Sequence, residues 1–147
     1  MKMALEGARL ALSQGEVPVG AVIASAEGSI LARAHNMPIS LNDPTAHAEI
    51  LALREASRKE QNYRLLGATL VVTIEPCAMC MGAAILARIG HLVYGAADPK
   101  AGAAGSLYDL ASDERLNHRI EVTSGIMEAE CRSLIQGFFR AKRKNCP

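Results

Sequence analysis

Residues 68–89 read ATLVVTIEPCAMCMGAAILARI. The first part, Ala68 to Ile74, is a continuous apolar and β-branched run, the composition of a strand covered on both faces at the centre of an α/β sheet. Glu75-Pro76 interrupts it, and the small-residue stretch that follows, with Pro at its head, reads as a helix.

Outward from this unit the pattern alternates. Upstream, Met1, Leu5, Ala8 and Leu12 form a helical stripe that Gly15 is placed to stop. Val17 to Ala24 and Ile30 to Ala34 have strand composition, with Glu27-Gly28 as the turn of a hairpin between them. His35 to Pro44 is expected as loop. From Thr45 to about Lys59, Ala46, Ile50, Leu53 and Ala56 share one face, and Asp43-Pro44-Thr45 looks like the helix start. Downstream, His91 to Gly95 and Arg119 to Thr123 read as strands and Ser106 to Leu110 as a short helix. Met127, Cys131, Leu134 and Phe138 mark the buried stripe of a last helix. The alternation predicts an α/β protein: a three-layer α/β/α sandwich around a mixed sheet of about five strands.

Composition narrows the class. A chain of 147 residues fits a single domain over 1–147. Half of the residues are hydrophobic, 21% are charged and the net charge is +1, which argues against disorder and against a protein that coats nucleic acid with its whole surface. A polyanion would have to be met by a local patch, and Arg140, Lys142, Arg143 and Lys144 supply one, although charge alone equally suits a solvated helix end. The N-terminus lacks the apolar core of a signal peptide, and no stretch approaches the roughly 18 apolar residues of a membrane span, so a cytoplasmic address without membrane attachment is expected. In that compartment Cys77 and Cys80 read first as metal or redox chemistry.

The chemistry is concentrated at two helix starts, His47-Ala48-Glu49 and Pro76-Cys77-Ala78-Met79-Cys80. Cysteines three apart lie about 60° from each other around a helix, so both sulfurs can address one ion, and the helix dipole favours the thiolate. His47 and Glu49, two apart, diverge by about 200°, so one ligates and the other faces the substrate. Neither Cys131, in a buried stripe, nor Cys146, beside the chain end, makes a convincing fourth ligand. Three protein ligands plus a water position define a catalytic rather than a structural zinc site, and a nearby carboxylate such as Glu49 can shuttle the water's proton to a leaving nitrogen. Taken singly, each piece has a plainer meaning. A C-x-x-C is also a redox pair or half of a structural zinc knuckle, and Asn36 is by default a turn residue.

The stretches EVPVGAV (16–22), DPTAHAEI (43–50), EPCAMC (75–80), YGAADPKAGAAGSL (94–107) and FFRAKRK (138–144) together resemble the cytidine deaminase superfamily, most closely its tRNA-specific adenosine deaminases. The resemblance implies a Zn2+ ion in each subunit held by His47, Cys77 and Cys80, with Glu49 as general acid and base. It also implies that Asn36 and the backbone around Ala48 read a flipped-out purine. Asp98, Lys100 and Phe138, with the tail cations, would then lie against the RNA. The expected substrate is the wobble adenosine of an arginine tRNA anticodon stem-loop, converted to inosine by a homodimer. With five aromatic residues in the chain, and only Tyr63 and Phe139 expected to be free, shape and hydrogen bonding should outweigh stacking. Two alternatives keep part of this reading: a zinc deaminase of a free base or nucleoside, and a non-enzymatic zinc-stabilised binding module, which would require a fourth protein ligand.

Overall fold

The computed structural model describes residues 1–144, and its elements follow in the order α1 (Lys2–Ser13), β1 (Gly20–Ala24), β2 (Ile30–His35), α2 (Pro38–Leu41), α3 (Ala48–Glu60), β3 (Thr69–Ile74), α4 (Ala78–Leu86), β4 (His91–Ala96), β5 (Glu121–Thr123) and α5 (Glu128–Lys144). The five strands form one sheet in the order β2-β1-β3-β4-β5. β1 pairs antiparallel with both β2 and β3, whereas β3–β4 and β4–β5 are parallel. β3 is therefore the middle strand, with Leu70 and Val72 fully buried, as its uninterrupted apolar composition requires. Helices α1 and α5 cover one face, α3 and α4 the other, which completes the three-layer sandwich expected from the alternation. Among the described residues no helix is long and apolar enough to cross a membrane.

The layers are close because small residues line them. At Gly20 a Cβ would fall 1.9 Å from the Ala4 carbonyl oxygen, so α1 lies directly on β1 and only glycine fits. Ala4, Leu5, Ala8 and Ala11 form the buried stripe of α1; Leu12, expected there, is 39% exposed because the stripe turns through Ala11 instead. On the same face Cys131 of α5 packs with Leu5 and Ala96.

Several local expectations are corrected. α3 begins at Ala48, not Thr45: the Asp43 carboxylate accepts the Thr45 N–H at 2.8 Å and the Thr45 hydroxyl at 2.7 Å, a side-chain-capped turn that holds the chain out of the helix. The supposed loop after β2 contains the single-turn helix α2. β1 starts at Gly20 instead of Val17, after a segment containing Pro18, and β5 at Glu121 instead of Arg119. Ser106 to Leu110 is not helical, because its backbone donors are committed to tertiary partners, the Ser106 N–H to the Glu75 carboxylate among them. In α5 only Cys131 is fully buried, and Phe138 is half-buried and outside the core clusters.

Candidate active site

β1 begins, and β2 and β3 end, at one edge of the sheet: Gly20 pairs with His35, and the Gly20 N–H donates to Thr73 Oγ1 at 3.2 Å. Asn36 follows β2 at this edge. His47 and Cys77 stand here too, as the N-cap residues of α3 and α4, both with extended backbone angles and neither using its side chain to cap the helix. The sequence expectation put His47 inside a helix turn. As an N-cap it is freed from the helical screw, and Glu49 enters the first turn separately.

These N-termini bring three donors together. His47 Nδ1 lies 3.7 Å from Cys77 Sγ and 3.6 Å from Cys80 Sγ, and all three ligand atoms lie within 4.8 Å of one another. Zinc bonds of about 2.3 Å to sulfur and about 2.0–2.1 Å to nitrogen, opened to the tetrahedral angle, separate N from S by about 3.6 Å. The spacing therefore fits a zinc ion. It is the only such group of three or more His, Cys, Asp or Glu among the described residues. Cys131 is removed from it, packed in the α1–α5 layer, and Cys146 lies outside the described residues.

Electrostatics agree with the donor set. Hydrogen bonds from Cys80 and His47 pull the Cys77 thiol down to about 4, whereas Cys80, which gives its proton to that bond and is buried, is pushed up. Both sulfurs stand at the positive end of the α4 dipole, which favours the thiolate forms that a metal ion binds. Contact with Cys77 raises His47 as well.

Glu49 is 4% exposed, and burial drives its carboxyl up to about 6. Among the described residues, its Oε2 is the only buried side-chain oxygen or nitrogen without a hydrogen-bond partner. An unpaired buried carboxylate oxygen costs free energy, and a carboxyl so placed can accept or give a proton at the donor group. Asn36, buried rather than a surface turn residue, accepts the Ala48 N–H on its side-chain carbonyl at 2.8 Å.

The remaining candidates lie farther out. Asp98 Oδ1 accepts the N–H groups of Lys100 and Ala101 at 2.9 and 3.3 Å, shaping a turn that leaves Lys100 exposed. Antiparallel bridging of Cys77 with Gly102 ties this turn to the His47/Cys77/Cys80 donor group. Phe138 stacks edge-on with Phe139, with Lys142 Nζ 5.5 Å above its ring, distant in sequence and element from the donor group. Tyr108 is 56% exposed and so joins Tyr63 and Phe139 as an available ring, which sequence reasoning missed by placing it in a helix.

Two buried carboxylates were also missed. Glu16 accepts the N–H groups of Ile39 and Ser40 and the Ser40 hydroxyl, anchoring α2. Glu75 accepts donors from Asp98, Ala104 and Ser106, at the two ends of the 98–106 loop. The available signal was an acidic residue closing an apolar strand, followed at a distance by a Gly- and Ala-rich run whose backbone donors need acceptors.

A three-layer sandwich presenting a His/Cys/Cys zinc set and a free buried glutamate at paired helix starts defines a zinc-binding deaminase. The model of the family described as the cytidine and deoxycytidylate deaminase zinc-binding region matches residues 1–96. The tRNA-specific adenosine deaminase of Streptococcus pyogenes serotype M18 (strain MGAS8232) is 48% identical over 144 residues, covering 98% of this chain and 90% of its own. The protein of that name from Bacillus subtilis (strain 168) is also 48% identical, over 98% of this chain and 89% of its own. A structure solved in studies of A-to-I editing by tRNA:A34 deaminases superposes with a TM-score of 0.88 at 45% identity, covering 91% of this chain and 96% of that one. The chain belongs to the cytidine and deoxycytidylate deaminase family, among its tRNA-specific adenosine deaminases.

Proposed function

We propose that this zinc-dependent deaminase converts adenosine to inosine at the wobble position of an arginine tRNA anticodon, working in the cytoplasm as a homodimer with one Zn2+ per subunit. The observation that carries the chemistry is the buried, unpartnered Glu49 Oε2 beside a three-donor His47/Cys77/Cys80 set spaced for tetrahedral zinc. The kinship with tRNA-specific adenosine deaminases supports the substrate.

His47, Cys77 and Cys80 would hold the zinc ion, which when bound would supply the Lewis acidity that brings the pKa of water toward neutrality. Glu49 takes a proton from the attacking water and returns it to the leaving amino nitrogen. The C–O bond forms, the C–N bond breaks and ammonia departs. A carboxyl raised by burial toward the working pH is suited to both accepting and giving that proton. Asn36, locked to the Ala48 backbone, orients the flipped-out base, with its amide nitrogen left for the purine. Asp98 and Lys100 on the neighbouring turn, and Phe138 with the cations at the end of α5, hold the surrounding RNA.

The test offers the native protein an arginine tRNA anticodon stem-loop and, separately, free adenine, guanine, cytosine and cytidine, with products read by mass spectrometry. Inosine at the wobble position alone supports the assignment. Turnover of a free base with none of the stem-loop would assign the protein to small-molecule deamination instead.

A further inference from the structure

We propose that Glu75 is a positioning residue that fixes the 98–106 loop against the metal ligands and so sets how RNA engages the site; the inference rests on the tRNA reading above. Glu75 directly follows β3, which ends at Ile74; it stands two residues before Cys77 and is 3% exposed. A carboxylate so placed is costly unless every lone pair facing the protein finds a donor. Here each oxygen finds two. Oε1 accepts the Ala104 and Ser106 N–H groups, each at 3.0 Å, and Oε2 accepts the Asp98 N–H at 3.0 Å and the Ser106 hydroxyl.

The donors come from both ends of a loop that contains no helix, so the carboxylate does what a ladder of backbone bonds would otherwise do. The adjoining backbone closes the same seam. The Ala103 N–H donates to the Pro76 carbonyl at 2.8 Å, and Cys77 bridges Gly102. At Gly102 a Cβ would lie 2.4 Å from Glu75 Oε2 and 2.5 Å from the Asp98 carbonyl oxygen, so the loop is pressed onto the carboxylate with no room for a side chain. Asp98 belongs at once to this anchor, through its N–H, and to the turn that displays Lys100, through Oδ1. Glu75 thereby connects the strand that delivers Cys77 to the exposed cation of the turn, without itself reaching the surface.

An amide cannot replace it. Glutamine has one acceptor oxygen, and its NH2 would face donors in either orientation, so Glu75→Gln loosens the loop while keeping the volume. The experiment compares native protein, Glu75→Gln, Lys100→Ala and the double variant for zinc content and for steady-state kinetics on the arginine tRNA anticodon stem-loop. With zinc retained, Glu75→Gln should raise KM about tenfold, equivalent to about 1.4 kcal/mol, and lower kcat by less than about threefold. Lys100→Ala should cost clearly less in the Glu75→Gln background than alone, because the loop no longer presents the lysine; a residue that merely supports the fold gives additive effects. Should Glu75→Gln fail to fold, Ser106→Ala, which removes one donor, should show the same KM shift and the same non-additivity with Lys100→Ala on a smaller scale. Additive effects, or an unchanged KM, overturn the proposal. A native protein inert on the stem-loop overturns the functional reading, and this inference with it.

Discussion

The side-chain carbonyl of Asn36 accepts the Ala48 backbone N–H at 2.8 Å, joining the residue that follows β2 to the first turn of the helix that presents His47 and Glu49. One bond therefore sets the separation between the Asn36 amide and the Glu49 carboxyl. Asn36→Ala leaves a buried N–H at the α3 start unpaired, a loss of about 1–3 kcal/mol. A lower melting temperature together with a fall in kcat/KM is expected; an unchanged melting temperature would show that this bond does not hold the helix start.

Replacing Cys77 or Cys80 by Ala leaves two donors where three stood. Zinc analysis of the purified variants should find the metal largely gone and turnover with it, and thermal melting should shift down because metal binding contributes to the stability of the fold. Full activity in a variant shown to be free of metal would contradict the site.

Glu16 gives a pH-dependent stability. Burial pushes its carboxyl up, but the Ser40 and Ile39 donors outweigh burial, with a smaller contribution from His35, and hold it below its ordinary value. A group depressed on folding contributes stability that is fully present above its unfolded pKa, about 4.3, and lost as pH falls through the folded value. Glu16→Gln should therefore melt several degrees below the native protein at pH 7, with the gap closing in melts taken progressively below pH 4. A gap that stays constant with pH would mean that the charge on Glu16 does not matter.

At the end of α5, Lys142, Arg143 and Lys144 are exposed, and Lys142 covers the Phe138 ring. Changing all three to Gln should weaken stem-loop binding and flatten the plot of log affinity against log salt, by up to about 0.7–0.9 for each phosphate that is no longer neutralised. An unchanged slope would assign them to solubility.

What was legible in the sequence follows from how local each signal is. The middle strand and the grouping of His47, Cys77 and Cys80 could be read because an unbroken apolar run, the C-x-x-C spacing and the H-x-E pair each act within a few residues. Errors arose where a distant partner decided the outcome. Ser106 to Leu110 has a tolerable helix composition, yet its donors serve Glu75 and the carbonyls of Gly102 and Ala103. Thr45 looks like a helix start until the Asp43 side chain claims its N–H. Asn36 resembled a turn residue because its value lies in a backbone group twelve positions away. Glu75 and Glu16 stayed invisible for the same reason: the need for a buried carboxylate is written in the segments that cover it.

The most direct test of the account is adenosine-to-inosine conversion in an arginine tRNA anticodon stem-loop by three samples: native protein, Glu49→Ala and native protein stripped of metal by a chelator. Conversion is expected from the native sample, with a loss of at least about a hundredfold in Glu49→Ala with zinc still bound and recovery of the stripped sample on adding zinc. Comparable conversion by Glu49→Ala, or by the stripped protein without added metal, would contradict it.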